Sequence, residues 1–509
     1  MPLQGILRRI LTARVYDVAR QTPLDPAPKL SALLARGVFL KREDLQPVFS
    51  FKLRGAYNKI AHLDPMVRAQ GVIAASAGNH AQGVALSAKH FGIPAVIVMP
   101  ATTPAIKVEA VRAYGAEVVL FGDSYSDAAG FAEQLTAERG LTYIHPYDDK
   151  LVIAGQGTIA HEILNQLPGG PRKGDTIFVP VGGGGLIAGI AAFFKAIAPE
   201  VRIIGVEPSD ADAMIRSVEA GERVTLERVG IFADGVAVKQ VGELTFEICR
   251  RFVDGWVRVS TDEIASAIKR LFEENRSIAE PAGALASAGM VRWGQLHPEE
   301  EGDGGRWISL VSGANMNFDR LRHVAERAAI GEQREALLGI TIPERPGAFL
   351  EMVAALDQAA ITEFNYRLCN RDQAYVFAGV AVAGPKGREH LLAHLAGEGF
   401  EALDLTDDEV AKLHLRHMVG GRAPFVDRER LVRFRFPERP GALREFLEAI
   451  QGRWNIALFH YRNFGADFGR VLVGMEVPEE DEEHFAAFLA QVGYEWNDES
   501  DNRGYKLFL

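Results

Sequence analysis

Cysteine is nearly absent: the 509-residue chain has two, Cys249 and Cys369. Two thiols cannot build a disulfide framework or a thiolate metal cluster, so neither is expected, nor any metal, and the expected compartment is a reducing cytoplasm. Long apolar runs are missing as well. The longest, such as Ile93 to Pro100, are strand-sized and far short of a membrane span. A basic excess is also missing. Lys and Arg number 56 against 67 Asp and Glu, a net charge of −11, which argues against nucleic acid or anionic membrane as the main partner. Arg8, Arg9 and Arg14 surround a short apolar segment that has no long apolar core and no small-residue cleavage site. An amphipathic first helix is expected there rather than a targeting signal.

What is present is ordinary soluble material, 48% hydrophobic and 24% charged, long enough for two to four domains. From about residue 38 to 320, short apolar runs alternate with helical patterns. Strands are expected at Gly71–Ala75, Ala95–Met99, Glu117–Leu120, Ile177–Val181, Val201–Val206 and Trp307–Val311. Between them, sets such as Ile187, Ile190, Ala191, Phe194 and Ile197 repeat at helical spacing. Continuous apolar strands alternating with helices imply an α/β fold with mostly parallel sheets covered on both faces. Such sheets place ligands beyond the carboxyl ends of their strands.

After Asp319 the character changes. Leu321 to Arg334 reads as a charged helical connector kept wet by Glu326, Arg327, Glu332, Arg334 and Glu335. Beyond it Pro343-Glu344-Arg345-Pro346-Gly347-Ala348 recurs as Pro437-Glu438-Arg439-Pro440-Gly441-Ala442, 94 residues on (437 minus 343). Each copy reads as βαββαβ, the split arrangement of ferredoxin-like folds, with one strand ending in Tyr366-Arg367 or Tyr461-Arg462. The expected division is 1–322, a connector 323–336, a first small subdomain 337–410, a connector 411–430, and a second small subdomain 431–509.

Five stretches of the first 320 residues could carry chemistry. Gly182-Gly183-Gly184-Gly185-Leu186 lies between a strand and a helix. Its backbone N–H groups and the helix N-terminus favour an anion, and phosphate is preferred to the alternative of a merely flexible turn. It is no nucleotide P-loop, since Lys-Ser/Thr does not follow, and Ile187 replaces the last glycine of a dinucleotide fingerprint. Ser76-Ala77-Gly78-Asn79-His80 also follows a strand; it suits a carboxylate or phenolic oxygen, or simply caps a helix. Ser312 in Ser312-Gly313-Ala314-Asn315 could face a ring nitrogen or close a turn. Glu280, held extended by Pro281, points into a site or into solvent. Lys52, between Phe49, Phe51 and a Gly55-Ala56 exit, would be partly desolvated and so a better nucleophile, unless its head is simply solvated.

With Lys41-Arg42-Glu43-Asp44 and Phe51-Lys52, the set resembles the fold type II pyridoxal phosphate enzymes, in the same order along the chain. Within them it is most similar to the biosynthetic threonine deaminase (threonine dehydratase) family, which carries two C-terminal ACT-like regulatory subdomains. No motif position departs from that pattern. The resemblance implies a two-lobed catalytic domain, pyridoxal 5'-phosphate as cofactor and Lys52 as its attachment point and the base at Cα. It further implies Phe51 beside the ring, Gly182 to Gly185 with Leu186 on the phosphate, Asn79 on the ring 3-oxygen and Ser312 at the ring nitrogen. Ser76 and the backbone through Ala77, Gly78, Asn79 and His80 would clasp the substrate carboxylate. The implied reaction is elimination of water and ammonia from L-threonine, with L-serine as a second substrate. Isoleucine as inhibitor, valine as opposing effector and a homotetramer are implied in the same way. Phe364 to Arg367 and Phe459 to Arg462 either bind those effectors or pack the copies together. Two alternatives stay open: a serine-directed lyase or racemase of the same fold, and an amino-acid sensor with an inactive catalytic half.

Overall fold

The computed structural model describes residues 2–508 except 301–303, 344–350, 353–354, 357–360, 368–372, 418–427, 438–448, 450–452 and 463–467. The chain divides into two compact units, Met1–Val324 and Ala325–Leu509. Among the described residues no helix is long and apolar enough to cross a membrane.

The first unit opens with helix Leu3–Leu11, which buries Ile6 and Ile10, and continues with strands β1 (Leu24–Pro26) and β2 (Val38–Arg42). It then builds β3 (Val72–Ala75), β4 (Ala95–Met99), β5 (Glu117–Leu120) and β6 (Thr142–Tyr143), and returns to β7 (Thr176–Pro180), β8 (Arg202–Pro208), β9 (Gly255–Val259) and β10 (Trp307–Val311). The middle four form one sheet, ordered β5-β4-β3-β6 and parallel throughout. The rest form a second, β1-β2-β10-β7-β8-β9, parallel except where β1 runs against β2. The continuous apolar runs are the reason: β3, β4, β7 and β10 are buried at every residue, which requires helices on both faces.

β10 comes last in sequence yet lies between β2 and β7, with Trp307 opposite Val38 on one side and Thr176 on the other. The segments that follow these three strands are thereby brought together. Helix Lys52–Ala61 follows β2 and is pressed against helices Asn79–Phe91 and Lys150–Gln166. Glycines permit the approach: a Cβ on Gly83 would lie 3.1 Å from the Leu53 nitrogen, and one on Gly155 would lie 2.6 Å from the Arg54 carbonyl.

Two residues beyond Lys52, Arg54 anchors this helix in a buried ion cluster. Its guanidinium meets Glu43 at 2.8 Å and Glu162 at 2.6 Å, and Lys41 meets Glu162 at 2.6 Å. All four side chains are buried. Burial alone would raise the Glu43 carboxyl, but Arg54, Lys41 and the Thr22 hydroxyl together outweigh it and hold the group below its ordinary value. That contribution to stability is fully present above a pH of about 4.3 and is lost as pH falls through the lower native value. Replacing one member leaves the others charged and unpaired in low dielectric. Arg54→Leu should therefore destabilise the first unit by about 3–5 kcal/mol, read as a lower urea midpoint; an unchanged midpoint would refute the coupling.

The second unit holds two four-stranded antiparallel sheets. β11 (Glu335–Pro343), β12 (Ile361–Arg367), β13 (Gln373–Ala381) and β14 (Glu401–Asp404) are ordered β12-β13-β11-β14. β15 (Glu429–Pro437), β16 (Asn455–Arg462), β17 (Phe468–Glu476) and β18 (Glu495–Asp498) repeat the arrangement as β16-β17-β15-β18. Even the register break recurs, at Ile361/Glu363 and at Ile456/Leu458. Along β11 the side chains alternate: Leu338 and Ile340 enter the first copy's core, while Leu337 joins a cluster with Leu431 and Leu472 of the second copy. Helices Gly384–Gly397 and Glu482–Gln491 fall where the repeat places them. Met352 and Leu356 are buried as expected of the first inward helical face. The repeated motif itself, Glu344 to Ala348 and Glu438 to Ala442, lies outside the described residues, as do Phe349, Val353, Leu443, Phe446, Leu447 and Ile450.

The charged stretch before β11 is helical over Arg320–Gly331 but is not the wet connector expected of it. Arg327 is buried and pairs with Glu409, and Glu335 is buried as the first residue of β11. A charge pattern read without its partners looks the same whether it faces water or an opposite charge.

Candidate active site

One cavity of the first unit is lined by residues that follow strands of both its sheets. Phe51, Lys52, Asn79, Gly182, Gly183, Gly184, Gly185, Leu186, Glu280 and Ser312 all line it. Pro146, Tyr147, Gln156, Gly235 and Val236 complete its wall; sequence reasoning missed them. Pro146 and Tyr147 sit just after the two-residue β6, Gln156 lies within helix Lys150–Gln166, and Gly235 and Val236 belong to a turn with no motif of its own, so only long-range packing identifies them.

Lys52 opens its helix, and its Nζ donates to the Pro146 carbonyl at 3.1 Å. Burial lowers its pKa to about 8, against an opposing pull from Glu280. The two flanking aromatics differ. The Phe51 ring centroid lies 5.4 Å from Nζ, whereas Phe49 is 57% exposed and cannot desolvate the amine as its sequence position suggests. Phe49 instead takes a left-handed backbone conformation, φ 54°, at the turn into the site. Backbone bonds stitch this turn to the loop after β10: Phe51 N–H donates to Ser312 O at 3.2 Å and Ala314 N–H to Phe49 O at 2.9 Å. Lys52 and Ser312 thus hold a fixed relation through main chain. The Ser312 hydroxyl is buried and donates to the Ala282 carbonyl at 3.2 Å.

The glycine loop after β7 has no room for side chains. A Cβ on Gly183 would overlap the Tyr147 ring, and one on Gly182 would lie 2.9 Å from the Val236 backbone. Gly184 has φ +91°, and a Cβ there would crowd Met214 and Thr245. Thr245 Oγ1 donates to the Gly183 carbonyl at 2.6 Å, which satisfies that oxygen within the protein. Helix Gly185–Ile197 begins at this point, and the N–H groups of its first turn have no partner within the helix. The loop and helix end together form a cradle for an anion.

Asn79 begins helix Asn79–Phe91, and its Nδ2 donates to Glu280 Oε1 at 2.5 Å. Burial, then Asp234, pushes the Glu280 carboxyl up to about 7; the Asn79 bond, Lys107 and Arg320 pull it down. Ser76, Ala77 and Gly78 are half-buried and are not among the residues that line this cavity. The Gly78 N–H donates to Ser76 Oγ at 3.2 Å. His80 is buried, its Nε2 donates to the Ile144 carbonyl at 2.7 Å, and burial lowers its pKa to about 3, so it stays neutral.

An amine of lowered pKa, an anion cradle, a buried hydroxyl and a carboxamide around one cavity suit a cofactor that carries an aldehyde, a phosphate and a ring with polar edges. The residues fit pyridoxal phosphate. The family described as pyridoxal-phosphate dependent enzyme matches residues 15–313, which places the first unit in the fold type II class. The C-terminal regulatory domain of threonine dehydratase matches residues 326–415 and again 420–509. A biosynthetic L-threonine dehydratase of Burkholderia multivorans is 54% identical over 100% of both chains. The chain therefore belongs to the biosynthetic threonine dehydratase family. Of solved structures, the processed threonine deaminase isoform 2 of Solanum lycopersicum is 49% identical, covers 64% of this chain and 88% of its own, and superposes with a TM-score of 0.62. Maize serine racemase is 35% identical, covers 63% of this chain and 96% of its own, with a TM-score of 0.58.

Two outcomes follow from this geometry. Gly183→Ala should weaken pyridoxal phosphate binding by at least about tenfold, because the Tyr147 ring must shift; equilibrium dialysis of the variant checks it. The rate at which protein stripped of cofactor is reloaded should rise with pH through about 8 as Lys52 loses its proton. A midpoint near the ordinary lysine value would refute the desolvated amine.

Proposed function

We propose that the chain converts L-threonine to 2-oxobutanoate and ammonia with pyridoxal 5'-phosphate, the committed step of isoleucine biosynthesis. The observation that carries this is the convergence of Lys52, the tetraglycine loop, Asn79 and Ser312 on one cavity, in a chain similar along its whole length to a biosynthetic L-threonine dehydratase.

When bound, pyridoxal phosphate supplies an electron sink for the pair left when the Cα–H bond breaks. Gly182 to Gly185 and Leu186 would hold its phosphate through backbone N–H groups. Phe51 would pack beside the ring, Asn79 would donate to the 3-oxygen, and Ser312 would meet the ring nitrogen. A neutral hydroxyl there withdraws fewer electrons than an acid partner would, which favours expulsion of the β-hydroxyl over transamination. Ser76, with the backbone through Ala77, Gly78, Asn79 and His80, orients the substrate carboxylate. Lys52 Nζ would hold the cofactor and, once freed by the substrate amine, would take the Cα proton. That proton and the hydroxide lost from Cβ make one water; the aminocrotonate left would tautomerise, and one water would hydrolyse it to 2-oxobutanoate and ammonia, balancing the water lost.

In this reading residues 1–322 are catalytic, 323–336 and 411–430 connect, and 337–410 and 431–509 are regulatory. Support comes from the threonine dehydratase regulatory family matching two successive regions, residues 326–415 and 420–509. Isoleucine inhibits and valine opposes it, bound near Tyr366, Arg367, Tyr461 and Arg462, which close β12 and β16. The working form is a cytoplasmic homotetramer, and L-serine is a slower substrate. A serine-directed lyase or racemase fits less well. Nearly all of the maize serine racemase corresponds to 63% of this chain, which leaves the duplicated region without a purpose.

Lys52→Ala should cut turnover at least about 10³-fold and abolish covalent attachment of the cofactor. Retained turnover would overturn the catalytic assignment. Steady-state rates on threonine and serine, each with isoleucine or valine added, should favour threonine, show inhibition by isoleucine and show its relief by valine. Failure of isoleucine to inhibit would remove the regulatory assignment alone.

A further inference from the structure

Glu280 occupies the N-cap position of helix Pro281–Leu296, yet its side chain makes no capping hydrogen bond. Its backbone is fixed by Pro281 and by its N–H, which donates to Gly313 O at 3.1 Å. The carboxyl turns into the cavity instead, packed so closely on Gly313 that a Cβ there would overlap Oε1. It is buried, and Asn79 Nδ2 donates to it at 2.5 Å.

The orientation of the Asn79 carboxamide is decided from its other end. Asn315 Nδ2 donates to Val48 O at 2.8 Å and to Asn79 Oδ1 at 2.7 Å. Both Asn315 amide hydrogens are thereby used, and the Asn79 oxygen has a committed donor. One Asn79 N–H goes to Glu280, which leaves one N–H for a ligand. A group that places a single donor so firmly does so for an acceptor atom.

We propose that Glu280 is a positioning residue of this site: with Asn315 it locks Asn79 so that one amide N–H, not the carbonyl, meets the cofactor ring oxygen. This rests on the cofactor reading above. Charged groups face Glu280 from several elements: Lys52 from the helix after β2, Asp234 from the turn Asp234–Val236, Lys107 from helix Ala105–Arg112 and Arg320 from helix Arg320–Gly331. Asp234 is itself paired to Lys107 at 2.7 Å and to Arg320 at 3.2 Å, so these cations offset part of its push on Glu280, and both forms of Glu280 are accessible near neutrality. As pH rises, Glu280 loses its proton and becomes a stronger acceptor. The Asn79 amide is then more polarised, and its remaining N–H becomes a better donor to the cofactor.

The test uses full-length, cofactor-loaded protein, comparing wild type, Glu280→Gln and Asn315→Leu. Glu280→Gln keeps the shape and an acceptor oxygen but cannot titrate. Wild type should show a change in cofactor absorbance with a midpoint near pH 7; Glu280→Gln should bind cofactor within about threefold of wild type yet lack that change. Its kcat should fall about 10-fold or more while KM for threonine moves less than threefold. Asn315→Leu, which leaves Glu280 in place but frees the Asn79 amide, should also shift the absorbance and serves if Glu280→Gln does not fold. Variants with wild-type spectra, pH response and kcat would overturn the proposal. Wild-type protein that binds no cofactor would instead overturn the reading on which it rests.

Discussion

The catalytic unit depends on β10 lying between β2 and β7. Strands far apart in sequence become neighbours, and their parallel direction puts all three carboxyl ends on one edge. Lys52, Ser312 and the glycine loop each follow one of these ends. The four-stranded sheet β5-β4-β3-β6 contributes Asn79 from beyond β3. A cofactor with a reactive carbon, a ring and a phosphate needs contacts at separated points, and the strand order supplies them without strain in any single segment. The turn holding Lys52 is bonded by main chain to the loop holding Ser312, so two of the contacts cannot drift independently.

Close backbone approach is the second constraint. Gly83 and Gly155 let neighbouring helices press on the Lys52 helix, and the four glycines let Tyr147, Val236, Met214 and Thr245 close around the cradle. Such packing excludes water, which lowers the lysine pKa and raises that of Glu280. The buried cluster of Lys41, Glu43, Arg54 and Glu162 has two charges of each sign, so it fixes the helix without adding a net field. Lys52 and Glu280, by contrast, are each shifted by burial toward their neutral forms.

The regulatory unit solves a different problem. Each small antiparallel sheet has one face for its own helices, and the duplicated unit uses the other face of β11 and β15 to join the copies through Leu337, Leu431 and Leu472. Pairing of this kind leaves the edge strands β12 and β16 at the outside of each sheet. Both carry the same bulge, and both end in the Tyr-Arg pair.

The sequence alone determined the parallel strands of the first unit, the duplication in the second and the glycine, lysine and serine stretches, because periodicity, turn chemistry and exact repetition are local properties. It also supported Lys52 for a partly wrong local reason, since Phe49 faces solvent. Tertiary structure decided the rest. It placed Glu280 in the cavity rather than in solvent and buried Arg327 against Glu409. It also brought in Tyr147, Gly235 and Val236, which carry no motif. Burial and pairing depend on what arrives from elsewhere in the chain, and a side chain's own neighbours in sequence do not report that.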